Sequence, residues 1–178
     1  MTDPIDHGKC CSDPIFAPSG WVVRWAPLIA RGTVLDLACG EGRHARFFLD
    51  RKIDVVAVDR DPQDIPGARF VQADLEGGRP WPLPGEQFEG VVVTNYLHRA
   101  LFPRILEALK PGGVLLYESF MLGNERYGRP SNPEFLLRPG ELLDFFSDLE
   151  VKAFEEGLQE KPKPAMIQRL CAVRAAKG

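Results

Sequence analysis

Apolar and polar positions fall into two alternating patterns along the chain. Thr33-Val34-Leu35-Asp36-Leu37-Ala38 is an almost unbroken apolar run, as in a strand buried on both faces. Similar runs are Asp54 to Val58, closing at Asp59, and Ala68 to Ala73, closing at Asp74. Phe88 to Thr94, around Val91-Val92-Val93, and Val114 to Glu118 complete five such strands. Between them the spacing becomes helical. Arg43 to Arg51 places Ala45, Phe48 and Leu49 on one face, and Arg99 to Leu109 turns Leu101, Phe102, Ile105 and Leu109 inward before Pro111-Gly112-Gly113. Gly20 to Ala30 reads as a helix capped by Ser19 and shortened or kinked by Pro27. Pro139 to Phe146 reads as a helix with proline in its first turn. Val151 to Glu155 and Ile167 to Val173 read as final strands. The polar stretch Glu156 to Pro164 joins them without a crossover helix, so they are expected to be antiparallel.

Strands alternating with helices predict an α/β fold with a mostly parallel sheet covered on both faces. Two stretches break the alternation. Pro62 to Gly67 is too short and proline-rich for a crossover helix, and Glu76 to Gln87 is too rich in glycine and proline. The sheet is therefore expected to be thinly covered around its second and third strands, with Trp81 as a plug. Residues 1–18 lack periodicity and read as a flexible tail before a single domain over 19–178.

Composition narrows the function classes. With 178 residues, 44% hydrophobic and 26% charged, the chain suits one ordinary globular domain rather than a disordered one. A net charge of −3 argues against a broadly basic nucleic-acid surface. No apolar run approaches the roughly 20 residues that span a bilayer, and the acidic start lacks a secretory core. Of the cysteines Cys10, Cys11, Cys39 and Cys171, two are adjacent, which fits no disulfide framework and suggests a cytoplasmic setting. Cys10-Cys11, near His7 and Asp13, reads as incidental rather than as a metal site.

The chemistry centres on Gly40-Glu41-Gly42-Arg43-His44-Ala45. It matches G-x-G-x-x-[G/A] at a strand-to-helix turn, with Asp59 following about 20 residues later. Alone, this permits an NAD-binding domain and hence an oxidoreductase. Asp36, just before the glycines, argues otherwise. A dinucleotide brings phosphates to the helix N-terminus, where a neighbouring carboxylate repels them. S-adenosylmethionine carries an ammonium and a sulfonium, both cationic, and no phosphate. Asp74 adds an acceptor placed for an adenine amine. Arg43 and His44 open a helix, where cations are disfavoured, and read as solvent-facing.

Val34 to Gly42 resembles motif I of the class I S-adenosylmethionine-dependent methyltransferases. Val58-Asp59 resembles their ribose-binding acid, Ala73-Asp74-Leu75 their adenine-contacting segment, and Leu109 to Leu115 their turn into the fifth strand. Gly42-Arg43 and the compact size look like the small tellurite-resistance type. The resemblance covers about residues 20 to 175. It implies a Rossmann-like seven-stranded sheet in the order 3-2-1-4-5-7-6, the seventh antiparallel. It implies S-adenosylmethionine held by Asp36, Ala38, Cys39, Gly40, Gly42, Asp59, Arg60, Asp74, Leu75, Asn95 and Tyr96. Ala38 stands where glycine is commonest. Asn95-Tyr96-Leu97-His98 lies over the methyl-transfer face and is not the Asn-Pro-Pro-Tyr form of base-amine methylation. His98, Glu118, Arg126 and Tyr127 are the acceptor-side candidates. Arg126, Tyr127 and Arg129 lie on a long polar loop that reads as a substrate lid hinged at Gly123 and Gly128. Trp21 and Trp25, one turn apart, either cover the cofactor cleft or merely cover the sheet. The expected reaction is methyl transfer to a small acceptor, anionic or a metalloid, without nucleic acid, membrane or metal. A non-catalytic S-adenosylmethionine-binding protein is the alternative.

Overall fold

In β1 (Thr33–Leu37), Val34, Leu35 and Leu37 lose all contact with solvent because a parallel strand flanks them on either side. A computed structural model describes residues 17–176; the cysteine pair and most of the expected tail lie outside them. β2 (Asp54–Asp59) and β4 (Phe88–Thr94) flank β1. β3 (Arg69–Gln72) lies outside β2, and β5 (Leu109–Phe120) outside β4, all parallel. β7 (Ala165–Val173) runs antiparallel to β5, and β6 (Glu150–Gln159) closes the edge. The order is β3-β2-β1-β4-β5-β7-β6, as the resemblance implies.

Alternate strand residues feed two cores. Val34, Ala57, Val92 and Leu116 face α1 (Gly20–Trp25) and α2 (Arg43–Asp50). Leu35, Val58, Val91, Val93 and Tyr117 face α3 (Phe102–Ala108) and α4 (Glu141–Phe145). α1 is short because Pro27 opens a 3-10 turn over Ala26–Leu28. In α2 the buried residues are His44, Ala45, Phe47 and Phe48, while Leu49 is only half-buried. α4 starts later than its spacing predicts. Gly140, at φ +70°, caps it, so Pro139 precedes the helix rather than opening it.

The last three strands are longer than they read. β5 runs through Pro111-Gly112-Gly113 because the Gly112 N–H donates to the Arg174 carbonyl and the Arg174 N–H to that of Gly113. β6 and β7 form a tight hairpin, leaving only residues 160–164 as its turn. Its exposed edge carries charged residues, which hides the strand pattern. The stretches 62–67 and 76–87 contain no helix. Trp81 packs half-buried against the α3-side core, its Nε1 donating to the Leu83 carbonyl at 2.9 Å.

Candidate active site

The sheet order reverses between β1 and β4, which opens a crevice at their carboxyl ends. Both strands leave through a left-handed residue other than glycine: Ala38 at φ +55° and Asn95 at φ +54°. This conformation costs an L-residue roughly 1–2 kcal/mol, and such strain clusters where a turn serves a site. It also explains why glycine suits position 38.

The glycine loop follows. Gly42 has φ +77°, and a Cβ there would stand 2.4 Å from Ile65 Cδ1, so only glycine fits. A Cβ on Gly40 would meet no atom within 4 Å, so the backbone is open to a ligand on that side. Asp59, ending β2, holds the loop. Its Oδ2 accepts from the Gly40 N–H at 2.7 Å and its Oδ1 from the Asp61 N–H at 3.0 Å. Asp74 accepts from the Glu76 N–H at 3.0 Å, forming a turn after β3.

Asp36 sits differently from the other acids. It is 1% exposed and accepts from the Ala45 N–H at 2.9 Å, pinning the first turn of α2. Burial pushes its carboxyl up to about 7. That hydrogen bond and Arg43 pull the other way, and Asp59 adds to the rise. Burial, with Asp36 and Asp59 nearby, pushes the Cys39 thiol up to about 12, which leaves it inert at neutral pH. Arg60 is exposed, 3.7 Å from Asp61, while Leu75 packs half-buried on the core.

The crevice thus gathers Gly40, Asp59, Asp74 and Tyr96 above Asp36. The Tyr96 phenol is raised well above its ordinary range by burial and by the carboxylates of Glu76, Asp74 and Asp59. Its buried hydroxyl has no partner among the described residues. Carboxylate acceptors, an open glycine and an unpartnered phenol fit a cationic, hydroxyl-bearing adenosine ligand. Two phosphates would meet the acids at close range.

On the β5 side, Glu118 is 8% exposed, and its carboxylate pairs with Arg169 on β7. Arg169 also bonds Gln159 and Glu155, and Glu155 reaches Arg24 at 3.2 Å. His98 is half-buried and caps the 3-10 turn Arg99–Leu101. Arg126, Tyr127 and Arg129 are solvent-exposed. Their loop is anchored rather than freely hinged at its start. Asn124, 2% exposed, donates to the Pro130 carbonyl at 3.0 Å and accepts from the Met166 N–H at 3.1 Å. A Cβ on Gly123 would lie 3.2 Å from Met166 Cγ, whereas Gly128 is unconfined.

Sequence reasoning places one feature wrongly. His44 is not solvent-facing: it is 1% exposed, and its Nε2 accepts from the Ser19 N–H at 3.0 Å. Phe47 and Phe48, three and four residues on, are the helical signal for that burial. Of the two readings of Trp21 and Trp25, sheet cover holds: the Trp21 Nε1 donates to the Leu170 carbonyl of β7 at 3.2 Å, and Trp25 packs edge-on against Trp21. Arg99 was missed altogether. It donates to the carbonyls of Glu134 and Leu136 and pairs with Glu141, fixing the far end of the acceptor-side segment. No short motif marks that role. Among the described residues no cluster of three His, Cys, Asp or Glu could hold a metal, and no helix is long and apolar enough to cross a membrane.

Residues 34–113 match the family model of a methyltransferase domain. The trans-aconitate 2-methyltransferase of Methylobacterium nodulans is 32% identical over 114 residues, 58% of this chain and 44% of the relative. That of Azoarcus sp. is 31% identical over 125 residues, 64% of this chain and 47% of the relative. The chain therefore spans less than half the length of these curated relatives. TehB from Haemophilus influenzae superposes with a TM-score of 0.71 at 19% identity, over 88% of this chain and 62% of its own. The 1,6-didemethyltoxoflavin-N1-methyltransferase of Burkholderia thailandensis, solved with S-adenosylhomocysteine, gives 0.63 at 18% identity, over 87% and 76%. These likenesses establish the fold.

Proposed function

We propose that this chain, which belongs to the class I S-adenosylmethionine-dependent methyltransferases, methylates a small carboxylate acceptor. The observation that carries the reading is the Asp59–Gly40 hydrogen bond at an acid-lined switch point. It fixes a carboxylate beside an open glycine, with lone pairs left for ribose hydroxyls. Asp74 offers an acceptor for the adenine amine. Buried Asp36 places a carboxyl beneath the cationic end of the ligand, whose charge favours the ionised form. The tellurite-resistance likeness rests on Gly42-Arg43 and the compact size and names no acceptor here.

Bound S-adenosylmethionine supplies an electrophilic methyl group on a sulfonium. This chain contributes placement, because in-line displacement needs nucleophile and methyl at near-attack distance. A carboxylate acceptor, with a pKa of about 4, arrives deprotonated and needs no general base. Glu118 is already committed to Arg169, so its role here is to shape the acceptor wall rather than to take a proton. Arg126 and Arg129 are exposed guanidiniums on an anchored loop, suited to gripping a carboxylate as a fork. Tyr127 adds an amphipathic ring. The first curated relatives carry trans-aconitate in their names, which supports an anionic acceptor. The Asn95 side chain, exposed on its strained turn, and His98 border the same face.

The test is to incubate the protein with S-adenosylmethionine and a panel of small di- and tricarboxylates, and to quantify S-adenosylhomocysteine. Acceptor-dependent formation is expected. Arg126→Ala should lower turnover about tenfold while leaving cofactor affinity unchanged, as loss of one charge-assisted bond implies. Transfer only to uncharged acceptors would overturn the anionic reading. Cofactor binding without transfer to any acceptor would favour a non-catalytic binder.

A further inference from the structure

The chain enters α1 directly across the first turn of α2. The Ser19 N–H donates to His44 Nε2 at 3.0 Å, and Arg43 Nη1 reaches the Ala17 carbonyl at 3.4 Å. The other His44 nitrogen, Nδ1, lies 3.4 Å from Thr94 Oγ1, on the last residue of β4. Since Nε2 accepts, Nδ1 carries the proton and faces the threonine hydroxyl. His44 therefore touches three things at once: the helix that grows from the glycine loop, the residue before strained Asn95, and the segment that leads into α1.

We propose that His44 is a positioning residue through which the Ala17–Ser19 segment and the two cofactor-facing turns hold one another in place. It contacts neither cofactor nor acceptor; it acts through Ser19 and Thr94. Two further facts support this role. The imidazole is 1% exposed, so removing its acceptor would leave the Ser19 N–H partnerless in a confined site. Burial, with the Arg43 cation beside it, drives its pKa down to about 3, so the ring stays a neutral acceptor across the working pH range. Arg43 is the charged group that bears on it. Ser19 also caps α1 through its hydroxyl, which accepts from the Trp21 N–H at 3.1 Å. Loss of the latch should therefore loosen α1 as well as the crevice.

This inference rests on the cofactor reading above, and the experiment separates the two. S-adenosylhomocysteine affinity is measured by calorimetry, and tryptic cleavage after Arg24 in α1 by mass spectrometry. Three variants of the histidine side are compared with two of the serine side. His44→Phe fills the space without an acceptor, and His44→Leu does so with less volume. His44→Gln presents an oxygen near the position of Nε2. Ser19 has φ −55°, which proline adopts, so Ser19→Pro removes the N–H donor; Ser19→Ala removes only the hydroxyl cap. His44→Phe, His44→Leu and Ser19→Pro should each weaken S-adenosylhomocysteine about tenfold and speed the cleavage. His44→Gln should recover most of the affinity, and Ser19→Pro should exceed Ser19→Ala. If His44→Phe fails to fold, the serine pair decides. Wild-type affinity and protection in His44→Phe and Ser19→Pro would overturn the latch and leave the cofactor reading standing. No binding of S-adenosylhomocysteine to the wild type would overturn both.

Discussion

The two halves of the sheet handle charge in opposite ways. On the β1-β2-β3 half, Asp59 and Asp74 accept from backbone N–H groups, Asp74 has one exposed cation, Arg79, 4.0 Å away, and both carboxylates still border the crevice. On the β5-β7-β6 half, Glu118, Arg169, Glu155 and Arg24 neutralise one another. The first arrangement leaves acceptor capacity toward a ligand. The second closes a wall, and the exposed Arg126 and Arg129 stand outside that network as the groups proposed above to grip an anion. On the proposed reading, the first half receives the cationic cofactor and the second positions its reaction partner.

The largest way to break this contrast is to unpair the wall. Arg169→Ala leaves Glu118 as a buried, uncompensated carboxylate and should cost about 3 kcal/mol of stability in urea unfolding. Adding Glu118→Gln should recover much of that loss. If the single variant unfolds like the wild type, the wall is not held by this pair.

The second effect is pH dependence beside the crevice, where two buried groups oppose each other. His44 has a folded pKa of about 3, below its ordinary 6.5, so its contribution is present above 6.5 and lost as pH falls toward 3. Asp36 has a folded pKa of about 7, above its ordinary 3.8, so its contribution is present below 3.8 and lost as pH rises through 7. Each slope is at most about 1.4 kcal/mol per pH unit, and they offset where the windows overlap. Unfolding free energy measured against pH should be nearly flat between about 4 and 6.5 in the wild type. Asp36→Asn should reveal a rise with pH, and His44→Gln a fall. Parallel curves for all three proteins would contradict the assignment.

How far each half was legible follows from its contacts. Asp36, Gly40, Gly42 and Asp59 lie within a short span and use local backbone geometry, so spacing alone brings them together. The acceptor half is made by pairs far apart in sequence, such as Glu118 with Arg169, Asn124 with Met166 and Arg99 with Glu141. Each looks like an ordinary surface residue until β7 folds back antiparallel to β5. The charged edge of β6 and β7 concealed their length for a related reason: an edge strand carries little apolar alternation. His44 was misread because a cation at a helix start is disfavoured, whereas here the ring is neutral and buried.

The smallest effect concerns strain. Ala38 at φ +55° should relax on mutation to glycine, offset in part by the added entropy of the unfolded chain. Ala38→Gly should gain about 0.5 kcal/mol and leave ligand affinity unchanged. A loss of stability would mean that the turn is held by its side chain.

The most direct test is calorimetric titration of the wild type and Asp59→Ala with S-adenosylhomocysteine and with NAD. Retained circular dichroism would show that the variant is folded. The account predicts that the wild type binds S-adenosylhomocysteine and not NAD. It also predicts that Asp59→Ala weakens binding roughly ten- to a hundredfold, the range for a lost charge-assisted hydrogen bond. Equal affinity in the variant, or preference for NAD, would contradict the cofactor assignment on which the site rests.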